Sequence, residues 1–107
     1  MAKRGKKVLW SPRSRRDLDA IIDYYARVES LVSGEAMVRK ISADVELLRE
    51  NMRLWGERDD LRGGVRAVHV EPYLVFYRIS GSNAEIARVL HERRDIRTIF
   101  KKMNTYL

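Results

Sequence analysis

Hydrophobic positions follow a helical period in the first half of this chain. Between residues 18 and 28 they recur at intervals of three and four, at Leu18, Ile21, Ile22, Tyr25 and Val28. Ser11 and Pro12 precede this stripe, and a serine followed by proline is typical of the start of a helix. The pattern therefore predicts an amphipathic first helix. A short apolar run at residues 8 to 10 predicts a strand before it.

A second helical stripe consists of Val38, Ile41, Val45, Leu48 and Met52. It predicts a second, longer helix, and the segment from Ser33 to Glu35 offers a cap for its start. Because the link between the two stripes is short, they should pack as an antiparallel helical hairpin. Residues 53 to 64 are polar and contain glycine, which predicts a loop, with Trp55 packed onto the core.

A strand period follows at residues 65 to 70, 73 to 79 and 85 to 91. The intervening turns are short, so consecutive strands should be antiparallel. The middle strand has apolar side chains on both faces, which indicates a central position under the helical hairpin. A final stripe at Ile96, Ile99, Phe100 and Met103 predicts a short helix after Asp95. The predicted fold is α+β, in the order β-α-α-β-β-β with a C-terminal helix and an antiparallel sheet covered on one face by the hairpin.

The chain's size and composition limit its class. Its 107 residues fit a single domain, with residues 1 to 7 as a basic leader. There is no cysteine, which excludes disulfides, thiolate metal sites and a cysteine nucleophile. The N-terminal apolar run is too short for a signal peptide or a membrane span, so we expect a soluble, cytoplasmic protein.

Positive charge is concentrated at the two ends of the chain. The formal net charge is +7, distributed as +5 in residues 1 to 27, −2 in residues 28 to 62 and +4 in residues 63 to 107. A positive surface can therefore form where the ends meet. Such a surface favours nucleic acid or an acidic protein as partner.

Several short motifs together resemble the RelE/ParE toxin superfamily, and its ParE branch most. They are W-S-P at 10–12, D-L-x-x-I-x-x-Y at 17–24, G-x-R at 64–66, Y-L-V-F-Y-R-I at 73–79 and R-V-L-H-x-x-R-D at 88–95. The resemblance extends over roughly residues 8 to 100. It implies the toxin of a type II toxin–antitoxin module, which inhibits DNA gyrase by binding and is neutralised by a cognate ParD-like antitoxin. It also implies no cofactor, no membrane, and contact with operator DNA only through the antitoxin.

The other branch of the superfamily implies a different function, a ribosome-dependent messenger RNA endoribonuclease. Its basic set would correspond to Arg66 and to Arg93 or Arg94, together with a tyrosine in the C-terminal helix. The position six beyond Arg94 is Phe100, which has no hydroxyl group, so Tyr106 is the candidate in its place. A third hypothesis is a chain of this shape that has lost toxicity and only binds its partner.

Five arginines are the candidate contacts for a target or antitoxin: Arg66, Arg88, Arg93, Arg94 and Arg97. The exit of the last strand could project Arg88, Arg93 and Arg94, with Arg66 beside them, as a positive patch. The alternative is that Asp95 caps the last helix while the arginines lie in water or pair with Glu92. An antitoxin segment could dock in the seam between hairpin and sheet, where its acidic residues would meet these arginines.

Histidines and tyrosines offer further chemistry. His69 and His91 could form an acid–base pair, but the middle strand should separate them, which favours structural roles. Tyr24, Tyr25, Tyr73 and Tyr77 fit core positions better than base stacking. The spacing of histidines and carboxylates does not predict a metal site.

Overall fold

The computed structural model describes residues 6–103. Its helices and strands occur in the order β1 (Lys7–Trp10), α1 (Pro12–Val28), α2 (Leu31–Glu46), α3 (Leu48–Asn51), β2 (Arg66–Val70), β3 (Tyr73–Ser80), β4 (Asn83–His91) and α4 (Ile96–Lys102). Lys7, placed in the leader by its charge, is the first residue of β1. No helix in residues 6–103 has the length and apolar character needed to cross a bilayer.

The four strands form one sheet in the order β1-β4-β3-β2. β2, β3 and β4 are antiparallel neighbours, as their short turns predicted. β1 joins the edge of β4 in parallel, with Lys7 opposite Asn83 and Trp10 opposite Ile86, so the sheet is mixed rather than wholly antiparallel. The predicted α+β class is confirmed, and β3 lies inside the sheet as its two apolar faces indicated.

Each face of β3 packs into a separate core. On one face Val75 and Tyr77 join the cluster that includes Ile41 and Val45 of α2. On the other, Phe76 packs with Phe100 of α4, with ring centroids 5.0 Å apart. The apolar face of α4 thus covers the side of the sheet that the hairpin leaves open.

The predicted start of α1 is confirmed in detail. The Ser11 hydroxyl oxygen accepts from the Ser14 amide at 3.0 Å, which caps the helix. The same hydroxyl donates to the carbonyl oxygen of Ala87 at 3.0 Å. The cap therefore also ties α1 to β4.

The predicted cap of the second helix was wrong. Ser30 is the cap, since its side chain accepts from the Ser33 amide at 3.0 Å, and α2 begins at Leu31. Serine at position 33 could also cap a helix, but Ser33 lies in the first turn, and its amide is the donor that Ser30 caps. Gly34 is a buried helical residue that faces α1. A Cβ atom there would lie 3.0 Å from the backbone of Ile22.

Other predictions for the hairpin and its loop were wrong as well. The second helix ends at Glu46, where the Leu47 amide donates to the carbonyl oxygen of Asp44, three residues back. A separate short helix, α3, follows from Leu48. Val28 is exposed at the end of α1, where the chain turns into the hairpin. Trp55 is exposed as well. Its loop is anchored by its main chain, since the Arg66 guanidinium donates to the Trp55 carbonyl oxygen.

Candidate functional site

A groove opens beside α1, where β3 begins at Tyr73 and β4 ends at His91. It has a volume of about 320 Å³. Its walls include Asp17, Ile21, Tyr24, Tyr73, His91 and Arg94. We call it the hairpin groove. It lies at the seam between hairpin and sheet where the sequence placed a docking segment.

Asp17 closes one end of the hairpin groove by joining α1 to β4. Its carboxylate accepts from Arg88 Nε at 2.8 Å and Nη2 at 3.0 Å, and from the Val89 amide at 2.8 Å. The expectation that Arg88 projects an open positive charge was wrong. A carboxylate neutralises it, and the two side chains are only 17% and 14% exposed.

Aromatic rings form the floor of the groove. Tyr73 is buried and lies opposite His91 in the sheet, with the rings nearly perpendicular and their centroids 5.4 Å apart. The His91 Nδ1 atom accepts from the Arg93 amide at 3.1 Å, which fixes the imidazole over the strand exit. Burial, reinforced by a hydrogen bond with Tyr25, raises the pKa of Tyr73 above its ordinary value. The Tyr73 phenol therefore stays protonated and uncharged at neutral pH.

The exposed side chain of Arg94 supplies the positive charge of the groove. The two carboxylates nearest in sequence are engaged elsewhere. Glu92 lies 2.7 Å from His69 Nε2. Asp95 caps α4 by accepting from the Thr98 amide at 3.3 Å and from its hydroxyl at 2.7 Å, and these bonds lower the pKa of Asp95. The predicted cap at Asp95 is confirmed, but Glu92 pairs with His69 rather than with an arginine.

Arg66 lies at the end of β2 that is farther from the strand exit beside Arg94. It faces Tyr77 on β3, whereas His91 at the exit of β4 faces Tyr73. Tyr73 and Tyr77 are four residue steps apart, which is about 13 Å along a strand. The expectation that Arg66 lies beside the strand exit was therefore wrong. Its guanidinium instead holds the loop carbonyls of Trp55 and Arg53.

The remaining candidates are also spread over the molecule. Arg97 is 76% exposed on α4, where its Nη2 lies 3.3 Å from Asp60 Oδ2. Phe100, at the position where the nuclease branch has tyrosine, is fully buried in the core. Tyr106 lies outside the described residues. The structure thus does not bring Arg66, Arg94 and the α4 position together.

The two histidines are on separate strands, as predicted. His69 is on β2 and His91 on β4, with β3 between them. Within residues 6–103 there is no group of three or more histidines, aspartates and glutamates placed to hold a metal ion. The two histidines therefore do not form a pair.

An exposed apolar rim lies along the hairpin, and one of its members, Tyr24, also lines the groove. Its members are 50% to 69% exposed, namely Tyr24, Val28, Leu31 and Val32. Tyr24 and Val28 were predicted to lie in the core, and no pattern singled out Asp17. Yet Asp17 and Tyr24 begin and end the D-L-x-x-I-x-x-Y motif, so the motif itself contained the indication. A spacing of seven residues places both ends on one side of a helix.

The family model described as the ParE toxin of the type II toxin–antitoxin system parDE matches residues 8–96 of this chain. The chain belongs to this ParE toxin family. Toxin ParE1 of Mycobacterium tuberculosis is 26% identical over 93 residues, covering 86% of this chain and 95% of the relative. Toxin ParE3 of Caulobacter vibrioides is 30% identical over 80 residues, covering 75% and 80%.

A solved structure titled "Chromosomal ParDE TA system from P. aeruginosa" shares this fold with a TM-score of 0.73. Its chain is 25% identical, with 80% of this chain and 95% of that chain covered. The family model includes all six named walls of the hairpin groove and stops at Ile96, the first residue of α4. The groove is therefore part of the ParE domain, and the cations of α4 lie beyond the matched residues.

Proposed function

We propose that this ParE toxin inhibits DNA gyrase by binding and is kept silent by a cognate ParD-like antitoxin docked in the hairpin groove. One observation carries the proposal: the groove combines an exposed apolar rim with a cation that has no ion-pair partner within residues 6–103. Such a surface is suited to a protein segment. The proposal also draws on the family model, which is described as the ParE toxin of a type II toxin–antitoxin system.

The rim indicates what the antitoxin segment should contain. Tyr24, Val28 and Leu31 expose apolar surface that water covers at a cost in the free toxin. A partner with an apolar stripe would bury them, and an acidic residue at its end would meet Arg94. Asp17 does not compete for Arg94, because its two oxygens already accept from Arg88 and Val89.

A noncatalytic mode of action fits the placement of the candidate residues. Cleavage of RNA by its own 2′-hydroxyl requires a proton acceptor and a cation at the same phosphate. Arg66 lies about 13 Å along the strands from the exit that carries Arg94, and its guanidinium is bound to loop carbonyls. Arginine is also a poor general base, since its pKa lies far above neutral pH.

Supercoiling by purified gyrase tests the proposal. Relaxed plasmid is incubated with gyrase and ATP while this toxin is titrated, and the titration is repeated with cognate antitoxin present. We expect inhibition by the toxin alone and recovery with antitoxin at equimolar ratio. Unchanged supercoiling at a toxin concentration that stops growth would overturn gyrase as the target.

Two further outcomes would identify the alternatives. Cleaved transcripts in cells that express the toxin, lost in the Arg66→Ala and Arg94→Ala variants, would support the endoribonuclease. Normal growth with folded toxin accumulated and antitoxin absent would support a chain that only binds its partner. Circular dichroism of the purified toxin establishes that it is folded in either case.

A further inference from the structure

The outward face of α4 carries only cations and one threonine. Its inward face, Ile96, Ile99 and Phe100, packs on the sheet. A helix turns by about 100° per residue, so the other four positions face outward. They are Arg97, Thr98, Lys101 and Lys102. We call the three cations among them the α4 cationic surface. α4 itself contains no carboxylate.

Neighbouring carboxylates leave most of this charge unneutralised. Asp60 is held by Arg58 through two bonds of 3.0 and 3.1 Å and reaches Arg97 only at 3.3 Å. Asp95 caps α4, and Lys102 is near enough to help lower the pKa of Asp95 without forming an ion pair with it. Lys101 and Lys102 form no ion pair within the described part of the chain. The positive field therefore faces solvent.

α4 is also held firmly in place. Phe100 is fully buried at one end of its inward face. Beyond it, Arg62 of the loop donates to the carbonyl oxygens of Phe100, at 3.1 Å, and Met103. The three cations thus project from a fixed helix, which limits the entropy lost when they bind a ligand.

We propose that the α4 cationic surface binds the phosphate backbone of double-stranded DNA without sequence preference. Charge complementarity identifies this occupant, since closely spaced cations release counterions from a duplex. A protein partner is less suited, because the core of a protein interface needs apolar anchors and the outward face of α4 has none. The hairpin groove, with its apolar rim, shows the contrasting chemistry.

The same face distinguishes duplex from single strand. Proteins that bind single strands stack bases on exposed aromatic rings. The only aromatic residue of α4, Phe100, is buried. A direct contact with duplex differs from the expectation that DNA is reached only through the antitoxin. It is independent of whether gyrase is the target.

Fluorescence anisotropy tests this proposal with the full-length toxin and two labelled 20-base-pair duplexes of unrelated sequence, from 50 to 200 mM NaCl. The test variant is Arg97→Gln/Lys101→Gln/Lys102→Gln. The matched control, Arg15→Gln/Arg39→Gln/Lys40→Gln, removes the same net charge from exposed positions on the hairpin. Circular dichroism and thermal unfolding establish that each protein is folded.

We expect equal affinity for both duplexes and a salt dependence that three phosphate contacts dominate. Loss of these contacts should flatten the slope of log K against log salt by about 2.7, so wild type should lose about 40-fold more affinity than the test variant across this range. The control should retain nearly the whole slope. Three results would overturn the proposal: no binding at 50 mM NaCl, equal losses in test and control variants, or tighter binding to the single strands than to the duplexes.

Discussion

Asp17 and Arg88, separated by 71 residues in the chain, form a two-point ion pair between α1 and β4. Asp17 Oδ2 also accepts from the Val89 amide at 2.8 Å. One carboxylate therefore connects the helical hairpin to the strand whose exit forms the groove. This pair belongs to the scaffold that positions the groove, and both of its charged groups are already engaged with each other.

Arg88→Met should destabilise the fold because it leaves the enclosed Asp17 carboxylate with the Val89 amide as its main partner. Breaking a buried ion pair costs about 3–5 kcal/mol, and partial exposure of this pair places the expected loss at about 2–3 kcal/mol. Urea unfolding at pH 7 measures it. Arg39→Met, an exposed arginine on α2, should change stability by less than about 0.5 kcal/mol. Equal effects of the two variants would contradict a scaffold role for Arg88.

Gly34→Ala should loosen the hairpin although alanine is the better helix former. The added Cβ would lie 3.0 Å from Ile22 Cα and 3.2 Å from Tyr25 Cβ, and the Ile22 backbone cannot move without shifting α1. Overpacking costs about 1–3 kcal/mol, against a gain of about 1 kcal/mol in helix propensity. We expect a net loss of stability in thermal unfolding.

Gly56→Ala provides the comparison for that result, because nothing lies within 4 Å of the added Cβ. It should leave the unfolding temperature almost unchanged. A Gly34→Ala protein more stable than wild type would show that the two helices separate easily. The close approach at Gly34 would then have no role in positioning Tyr25.

Local patterns predicted the features that depend on neighbours in sequence. Ser11 and Asp95 cap their helices as expected, and short turns determined the antiparallel strands. Ser30 and Ser33 were harder to separate, since either side chain can cap a helix. The close contact of Gly34 with α1 requires α2 to have begun before Gly34, and no local pattern contains that contact.

Long-range partners explain the errors in the candidate site. Arg88 was expected to be unpaired because its partner, the Asp17 carboxylate, lies on another element, 71 residues away in the chain. Arg66 was expected beside Arg94 because both flank the strands of the sheet. The register instead places Arg66 opposite Tyr77, about 13 Å along β3 from the exit at Tyr73 and His91. Charge along a sequence shows how many cations a surface can have. Which of them remain open depends on tertiary pairing.

Tyr77→Phe should lower the stability of the fold. It should also make that stability less sensitive to alkaline pH. The Tyr77 hydroxyl donates to the Met52 carbonyl oxygen at 2.6 Å inside the core. Removing the hydroxyl leaves that carbonyl without this donor, which should lower the free energy of unfolding by about 1–2 kcal/mol. Burial raises the pKa of Tyr77 to about 12, and nearby Arg66 opposes this only partly.

The sign of the pH effect follows from that shift. The folded protein retains the Tyr77 proton in a range where the unfolded chain, with a pKa near 10, has lost it. The stability contributed by the neutral phenol is complete below pH 10 and is lost as the pH rises towards 12. Unfolding temperatures measured across this range should fall less steeply in Tyr77→Phe than in wild type. Parallel curves would show that Tyr77 does not contribute to the alkaline decline.

Tyr24→Ala and Arg94→Gln should separate the apolar and ionic parts of antitoxin binding at the hairpin groove. Tyr24 is half exposed in the free toxin, so its removal should leave the fold intact. Central tyrosines of interfaces contribute about 2 kcal/mol or more, which corresponds to a loss of about 30-fold in affinity. Arg94→Gln should instead slow association and reduce its dependence on salt, because exposed charges steer the encounter.

Surface plasmon resonance against the cognate antitoxin at several salt concentrations measures both effects. Leu54→Ala is the matched control, since Leu54 is 71% exposed and does not line the groove. It should bind the antitoxin as wild type does. If Leu54→Ala lost as much affinity as Tyr24→Ala, or if Tyr24→Ala bound unchanged, the antitoxin would have to dock elsewhere. The Arg94 result would then decide whether the strand exit contributes at all, because its salt effect is independent of the apolar rim.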